Sequence, residues 1–301
     1  MKIKKIVVIL FGIMLIAFGI GLLSLKHYGF SNKSNNLNIN FSFAISDFVK
    51  SFKDVTSDYV EKNIDEEKIE NIDGINTLDI DVSFSNVNII AENRDDVKIH
   101  YHGYIKANFI PKLKTKTSNS TLYIKLEKGS DKSYNTETVD VKLDIYVPKS
   151  YEKSIKANTS FGNINISNLN LSHLKLITSF GNIEIRNLKG DVEADTSYGN
   201  IVIQNLSGDL TASTSFGNID LEYQDFDYNI KADSSFGDIK LALPKNSQFK
   251  IEAECSLGDI DIDFPVKITK NERDKISGTV GSSSNSIDLE TSSGDIKVIS
   301  R

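Results

Sequence analysis

Six residues, Thr-Ser-Phe-Gly-Asn-Ile, recur along this chain and restrict what it can fold into. The motif begins at Thr159, Thr178 and Thr214, and Thr196 opens a copy with Tyr in place of Phe. Ser234, Cys255 and Thr291 open variants in which Asp replaces Asn. The steps between copies are 19, 18, 18, 20, 21 and 36 residues, the last being twice 18. An earlier echo, Val-Ser-Phe-Ser-Asn-Val-Asn-Ile, starts at Val82. Self-similarity at this period marks a solenoid, and alternation without helical spacing inside the period makes it a β-solenoid.

Aligned copies show which positions share a face. One column reads Ile155, Leu174, Val192, Leu210, Ile230, Ile251 and Ile287, and the small or apolar column two residues on runs from Ala157 to Leu289. The Thr column follows, and then Phe161, Phe180, Tyr198, Phe216, Phe236, Leu257 and Ser293. These four columns share one parity and are expected on one inward face. The glycine that follows suits a corner at positive φ, Asn or Asp suits the position after it, and Ile resumes the inward pattern. Asn side chains stacked rung on rung can hydrogen-bond between rungs. A single rung cannot bury its apolar side chains alone, so like must stack on like. The repeats are expected over residues 149–301, and residues 159–301 give seven or eight stacked rungs, a rod on the order of 35 Å long.

Ahead of the repeats, residues 75–148 alternate with period two: Leu78, Ile80 and Val82, then Val97, Ile99 and Tyr101, then Leu122, Ile124 and Leu126. Those strands are the expected N-terminal cap, since exposed sheet edges recruit other chains. No cap is evident at Val298–Arg301. Residues 27–74 read as a polar tether. Within it, Ile45, Phe48, Val49, Phe52, Val55, Tyr59 and Val60 fall at spacings of three and four, which predicts an amphipathic helix over 44–62.

The first 26 residues differ in kind. Lys2, Lys4 and Lys5 precede an uncharged apolar run from Ile6 to Leu25, and Lys26 closes it. Twenty helical residues span the roughly 30 Å hydrocarbon layer, and the lysine excess places the N-terminus inside the cell. A single transmembrane anchor with the body exported is the expectation. A cleaved signal peptide is the rival reading, but the run is longer than an ordinary signal core and no clear cleavage site follows. Setting Lys2, Lys4, Lys5 and Lys26 aside from the formal charge of −6 leaves −10 on the exported part. Such a surface argues against a nucleic-acid partner. Cys255 is the only cysteine, so no internal disulfide forms, and its place in the Thr column predicts a small buried side chain.

Chemistry-bearing constellations are sparse. Asp238 and Asp259, expected one rung apart, would repel unless screened, which leaves a cation between them as an alternative to a purely structural corner. Calcium needs six to eight oxygens, and the nonapeptide of calcium-binding β-rolls is missing. His100 and His102 share a strand face at a spacing that suits a metal, but no third ligand is evident, and exposed strand histidines are the reading preferred here. An outward column containing Asp233, Glu254 and Glu290 turns acidic toward the C-terminus and could conceal a carboxylate pair acting on polysaccharide. No catalytic, metal or cofactor residues are assigned, and the binding residues are unknown. Binding is expected on variable outward positions between the repeats.

The strand pattern from Ile75, the junction Tyr146–Ile164 and the iterated Thr-Ser-x-Gly-[Asn/Asp]-Ile together resemble the bacterial "putative adhesin" family, a domain of unknown function with β-helical repeats. Membrane-anchored examples are similar to the LiaG-like envelope proteins. The resemblance covers residues 72–301. It implies a surface-facing, non-catalytic envelope protein. With the anchor, the tether and the repeats, the expectation is a binding or scaffold module in adhesion or envelope-stress sensing, whose partner is a wall polymer or a membrane protein. A polysaccharide-active β-helix enzyme and a surface protein assembling end to end through its last rung are the alternatives.

Overall fold

The computed structural model describes residues 59–127, 136–272, 274–282 and 284–301, and they form strands joined by short turns. In chain order the first strands are β1 (Val60–Asn71), β2 (Thr77–Val82), β3 (Asn86–Glu92) and β4 (Asp96–Ala107). A hairpin, β5 (Lys112–Ser118) and β6 (Thr121–Glu127), precedes β7 (Thr136–Pro148) and β8 (Ser154–Phe161). Two long strands, β9 (Ile164–Phe180) and β10 (Ile183–Tyr198), serve both faces of the stack. After them come β11 (Ile201–Ser207), β12 (Leu210–Phe216), β13 (Ile219–Glu222), β14 (Ile230–Phe236) and β15 (Ile239–Leu243). The last six are β16 (Phe249–Leu257), β17 (Ile260–Ile262), β18 (Lys267–Asn271), β19 (Lys275–Val280), β20 (Ser286–Ser293) and β21 (Ile296–Ser300).

From β8 onward each rung has one strand or half-strand before a Gly-Asn or Gly-Asp corner and one after it. Strands β2 and β3 flank the Ser85-Asn86 corner, and β6 and β7 take the equivalent places in the first rung, so the parallel ladders make two faces. On the first face the order is β6, β2, β8, the second half of β9, the second half of β10, β12, β14, β20 and β16. On the second it is β7, β3, the first halves of β9 and β10, β11, β13, β15, β21 and β17. Among the described residues, nine rungs therefore stack in register, with the Ile, Leu, Val and Ala columns of both faces in one continuous core.

The rungs do not stack in chain order. The Thr291 rung lies between those of Ser234 and Cys255: Ser234 pairs with Thr291, and Thr291 with Cys255. Since every rung presents the same column pattern, an inserted rung finds the same complementary neighbours above and below. The C-terminal strand is thus interior rather than an uncapped end. Arg301 ties it down, pairing with Glu222 and donating from Nη2 to Tyr223 O at 2.8 Å. Beyond β16, the antiparallel strands β19 and β18 close the first face.

Residues 75–148 do more than cap. Strands β2 and β3 form the second rung and β6 and β7 belong to the first, while β5, β4 and β1 flank them antiparallel. The edge strand β5 carries Lys112, Lys114 and Lys116, and β1 carries five acidic residues and two lysines, charges that discourage edge-to-edge pairing. The expected anchor at 1–26 and residues 44–58 of the expected helix lie outside the described residues. From Val60 onward the helix expectation is corrected: residues 60–71, still tether by sequence, are strand β1. There β4 satisfies the backbone along a register from Val60↔Ala107 to Asn71↔Asp96, and such pairing outweighs a weak helical spacing. Among the described residues, no helix is long and apolar enough to cross a membrane.

The corner is where the rungs approach most closely. A Cβ on Gly199 would lie 1.9 Å from Gly181 O, and one on Gly181 would lie 2.0 Å from Gly162 O. Gly162 and Gly217 have φ of +157°, but Gly181 and Gly199 occupy the same column without a positive φ. Close approach of backbones, rather than a left-handed turn, is what excludes a side chain here. Gly199→Ala is expected to lower stability by about 3 kcal/mol. Gly74→Ala, strained only by its φ of +72° with nothing near its Cβ, should lose about 1 kcal/mol. Urea denaturation midpoints compare the two; equal losses would contradict the close-approach explanation.

Candidate interaction surface

The buried Thr column is satisfied by the glycine corner. Thr178, Thr196, Thr214, Ser234 and Thr291 donate their hydroxyls to the carbonyls of Gly162, Gly181, Gly199, Gly217 and Gly237 at 2.9–3.1 Å. Cys255 takes the same place, buried as expected, with Sγ 3.0 Å from Gly294 O. Burial pushes its thiol pKa up, and the charges of Asp295 and Asp259 add to the shift, so the thiol is poorly suited to act as a nucleophile.

One position later than glycine, a second ladder runs outside the first. Asn163, Asn182 and Asn200 each accept, through Oδ1, the backbone N–H of the residue at the same position on the next rung, at 2.8 Å. Asn218, Asp238 and Asp295 continue the series at 2.9 Å, ending on the N–H of Asp259. Only an acceptor oxygen is used, which is why Asn and Asp interchange in this column. The expected adjacency of Asp238 and Asp259 is corrected: Asp295 lies between them because its rung is inserted there. A further asparagine ladder, Asn168, Asn187 and Asn205, occupies another corner with φ of 51° to 60° and amide bonds of 2.8–2.9 Å. Its signal was the Asn that precedes Leu169, Leu188 and Leu206.

The aromatic column departs from expectation. Phe161, Phe180, Tyr198, Phe216 and Phe236 do not point inward; their exposures are 45–53%. The chain bends outward between the buried Thr and the Gly, which ends the alternation. With Phe84 they form a ladder of six rings, centroids 4.9–5.3 Å apart and planes within 2–5° of parallel. Ring faces are taken up by neighbouring rings, so the ladder presents a ridge of C–H edges to solvent. Ser293 interrupts it beyond Phe236, and Leu257 is 71% exposed on the last rung. The sequence held one clue: Tyr198 shares this column, and a phenol fits poorly where nothing would bond its hydroxyl.

The flat outer faces are laced with ion pairs. Lys175 hydrogen-bonds Glu193 and holds its carboxyl below the usual range against desolvation, with the Lys175 and His173 charges adding to the effect. In the acidic column, Glu290 lies between Asp233 and Glu254. Lys275 on β19 contacts Glu254 at 3.2 Å and also Glu252, and these bonds raise its pKa. That row is a charged strip on an open sheet, partly neutralised by a lysine. At the other end, His100 and His102 stack at 4.3 Å, and Asp144 of β7 comes within hydrogen-bonding distance of His102, at 2.9 Å.

Residues 75–196 and 191–299 each match the family described as Toastrack DUF4097. The chain belongs to this family, a β-solenoid-like fold, in agreement with the resemblance carried by its repeats. A comparison with curated proteins finds no significant match. Among solved structures it is similar to a "putative cell adhesion protein" of Clostridium sporogenes, 18% identical over 80% of this chain and 100% of that one, TM-score 0.38. A "putative adhesin" of Bacteroides fragilis is 14% identical over 81% and 98%, TM-score 0.39. A "putative lipid binding protein" of Parabacteroides distasonis is 16% identical over 81% and 98%, TM-score 0.37.

The acceptor-only ladder predicts an ordering of substitutions. Asn200→Ala removes the partner of the Asn218 N–H and is expected to cost about 1 kcal/mol. Asn200→Asp keeps that acceptor and is expected to retain most of the stability at neutral pH. Thermal unfolding of the two variants checks this; a larger loss for Asp than for Ala would contradict it.

Proposed function

We propose that this protein is a non-catalytic binding module, anchored in the membrane by residues 6–25 and displayed outside it, that docks a component of the cell envelope along its aromatic ridge. The observation that carries this reading is the six-ring ladder: apolar, half-exposed and held in register by the corner beneath it. Apolar patches of this kind on a rigid surface mark interaction sites. Ring edges face outward, so the ridge suits an apolar protein or lipid surface better than sugar rings that would stack on open aromatic faces. The acidic exported body turns the protein away from polyanions. Adhesion and envelope-stress sensing are both compatible with such a module, and the fold by itself selects neither.

Photo-crosslinking in intact cells tests the proposal. With a photoreactive phenylalanine at Tyr198, the expected result is an adduct to an envelope component that the same probe at Asp220, on the other face, does not form. Phe180→Ser combined with Phe216→Ser should weaken that adduct. No adduct above the Asp220 control, or release of the protein from membranes by an alkaline wash, would overturn the reading.

A further inference from the structure

Far along the chain from the repeats, three metal-ligating side chains converge on the outside of the second face. Alternation along β4 points His100 and His102 outward together, while Val97, Ile99 and Tyr101 fill the core. Antiparallel pairing then sets Asp144 of β7 directly opposite His100. One ligand atom from each of His100, His102 and Asp144 falls within 4.8 Å of the others. All three are partly buried: their side chains are 22%, 31% and 15% exposed.

The surroundings orient these groups. Asn88 donates from Nδ2 to Asp144 Oδ1 at 2.6 Å, leaving Oδ2 turned to His102 Nε2 at 2.9 Å. Asn165 in turn donates to Asn88 Oδ1 at 2.8 Å, so a chain of amides across three strands fixes the carboxylate. On the far side, Asp65 of β1 lies 2.7 Å from His100 Nε2. A carboxylate on a histidine ring nitrogen and an amide on a ligating carboxylate are the supports that metal ligands ordinarily have.

From this arrangement we infer a binding site for a first-row divalent cation of the zinc type, ligated by His100, His102 and Asp144, with Asp65 and Asn88 as positioning residues. Two imidazoles and one carboxylate make a donor set that zinc accepts in tetrahedral coordination, with a fourth position open to water or to a group from a partner. The same set is too poor in oxygen for calcium and too rich in nitrogen for magnesium. Binding exchanges the His102–Asp144 hydrogen bond for two metal bonds; tetrahedral bonds near 2.0–2.1 Å hold ligand atoms about 3.3 Å apart, so the His102 Nε2–Asp144 Oδ2 pair opens slightly from its 2.9 Å. It also clasps β4 to β7, next to the edge strand β1.

The competing account is that these contacts only pin the first strands together by hydrogen bonds. Titration of the tag-free full chain with cobalt(II) or zinc(II) separates the two. The expected result is one equivalent of cobalt, with the visible spectrum of a low-coordinate nitrogen–oxygen site displaced by zinc, and a melting temperature raised by zinc but not by magnesium or calcium. Asp144→Asn, which keeps the acceptor for Asn88, should weaken binding roughly tenfold or more, as should His102→Ala. Asn88→Ala should weaken it by roughly tenfold while leaving the ligands in place. Failure to bind either metal, or binding that survives both His102→Ala and Asp144→Asn, would overturn the inference. Retained metal-free melting temperature in Asp144→Asn shows that the loss is one of ligation rather than of folding.

Discussion

One backbone contact governs the structure: from Gly162 onward, the glycine of each corner lies against the corner carbonyl of the preceding rung in the stack, Ser85 O for Gly162 and a glycine carbonyl thereafter, too close for any side chain. That approach delivers the carbonyl to the buried Thr hydroxyl and the following N–H to the Asn or Asp oxygen outside it. It also brings successive aromatic rings to about 5 Å, the repeat of a parallel ladder. The polar groups of the corner are therefore paired, as buried polar groups must be. Three ladders, one inside, one at the surface and one of exposed rings, follow from a single steric requirement. A motif that is a structural joint thereby displays an apolar ridge, so joint and candidate binding surface are the same six residues.

Equivalence of the rungs has a second consequence. Because each offers the same pattern above and below, the chain can leave the stack, turn back and fill a place it passed. It does so after Leu243, where β16 and β17 are laid down one rung away and β20 and β21 return to fill the gap. A similar excursion occurs at the other end, where β2 and β3 precede β6 and β7 in sequence but lie inside them. Antiparallel strands flank both faces at the first end, with charges on β5 and β1, and the first face at the other. The last rung by sequence is interior, and the outermost rung at that end is the one of Cys255, covered by β19 on its first face.

Much of the architecture was legible in the sequence. Period, strand alternation and the inward Ile, Leu, Ala and Thr columns follow from the repeat, and the corner role of Gly and Asn with them. Rung order was not legible, because identical columns carry no information about which copies are neighbours; only the doubled step before Thr291 hinted at an excursion. The orientation of Phe161 and its successors was misread because parity holds along a straight strand and fails at the bend. The partner of His100 and His102 was hidden for a different reason. Asp144 reaches them through an antiparallel pairing between strands some forty residues apart, and no local spacing reports such a pairing. The early region showed one imperfect echo, with Ser85 in place of glycine, and so its second rung read as a cap. Ser85 is buried there, and its hydroxyl reaches Val141 O at 3.3 Å.

The corner ladders, the aromatic ridge and the interior C-terminal strand all rest on the interleaved, in-register stack, and cysteine cross-linking tests it most directly. In a Cys255→Ser background, cysteines at Asp233 and Glu290 sit on adjacent rungs about 4.8 Å apart, within disulfide range, whereas those at Asp233 and Glu254 are two rungs apart and beyond it. Mild oxidation should join the first pair and leave the second reduced. A disulfide between positions 233 and 254, with none between 233 and 290, would mean that the rungs stack in chain order and would contradict the account.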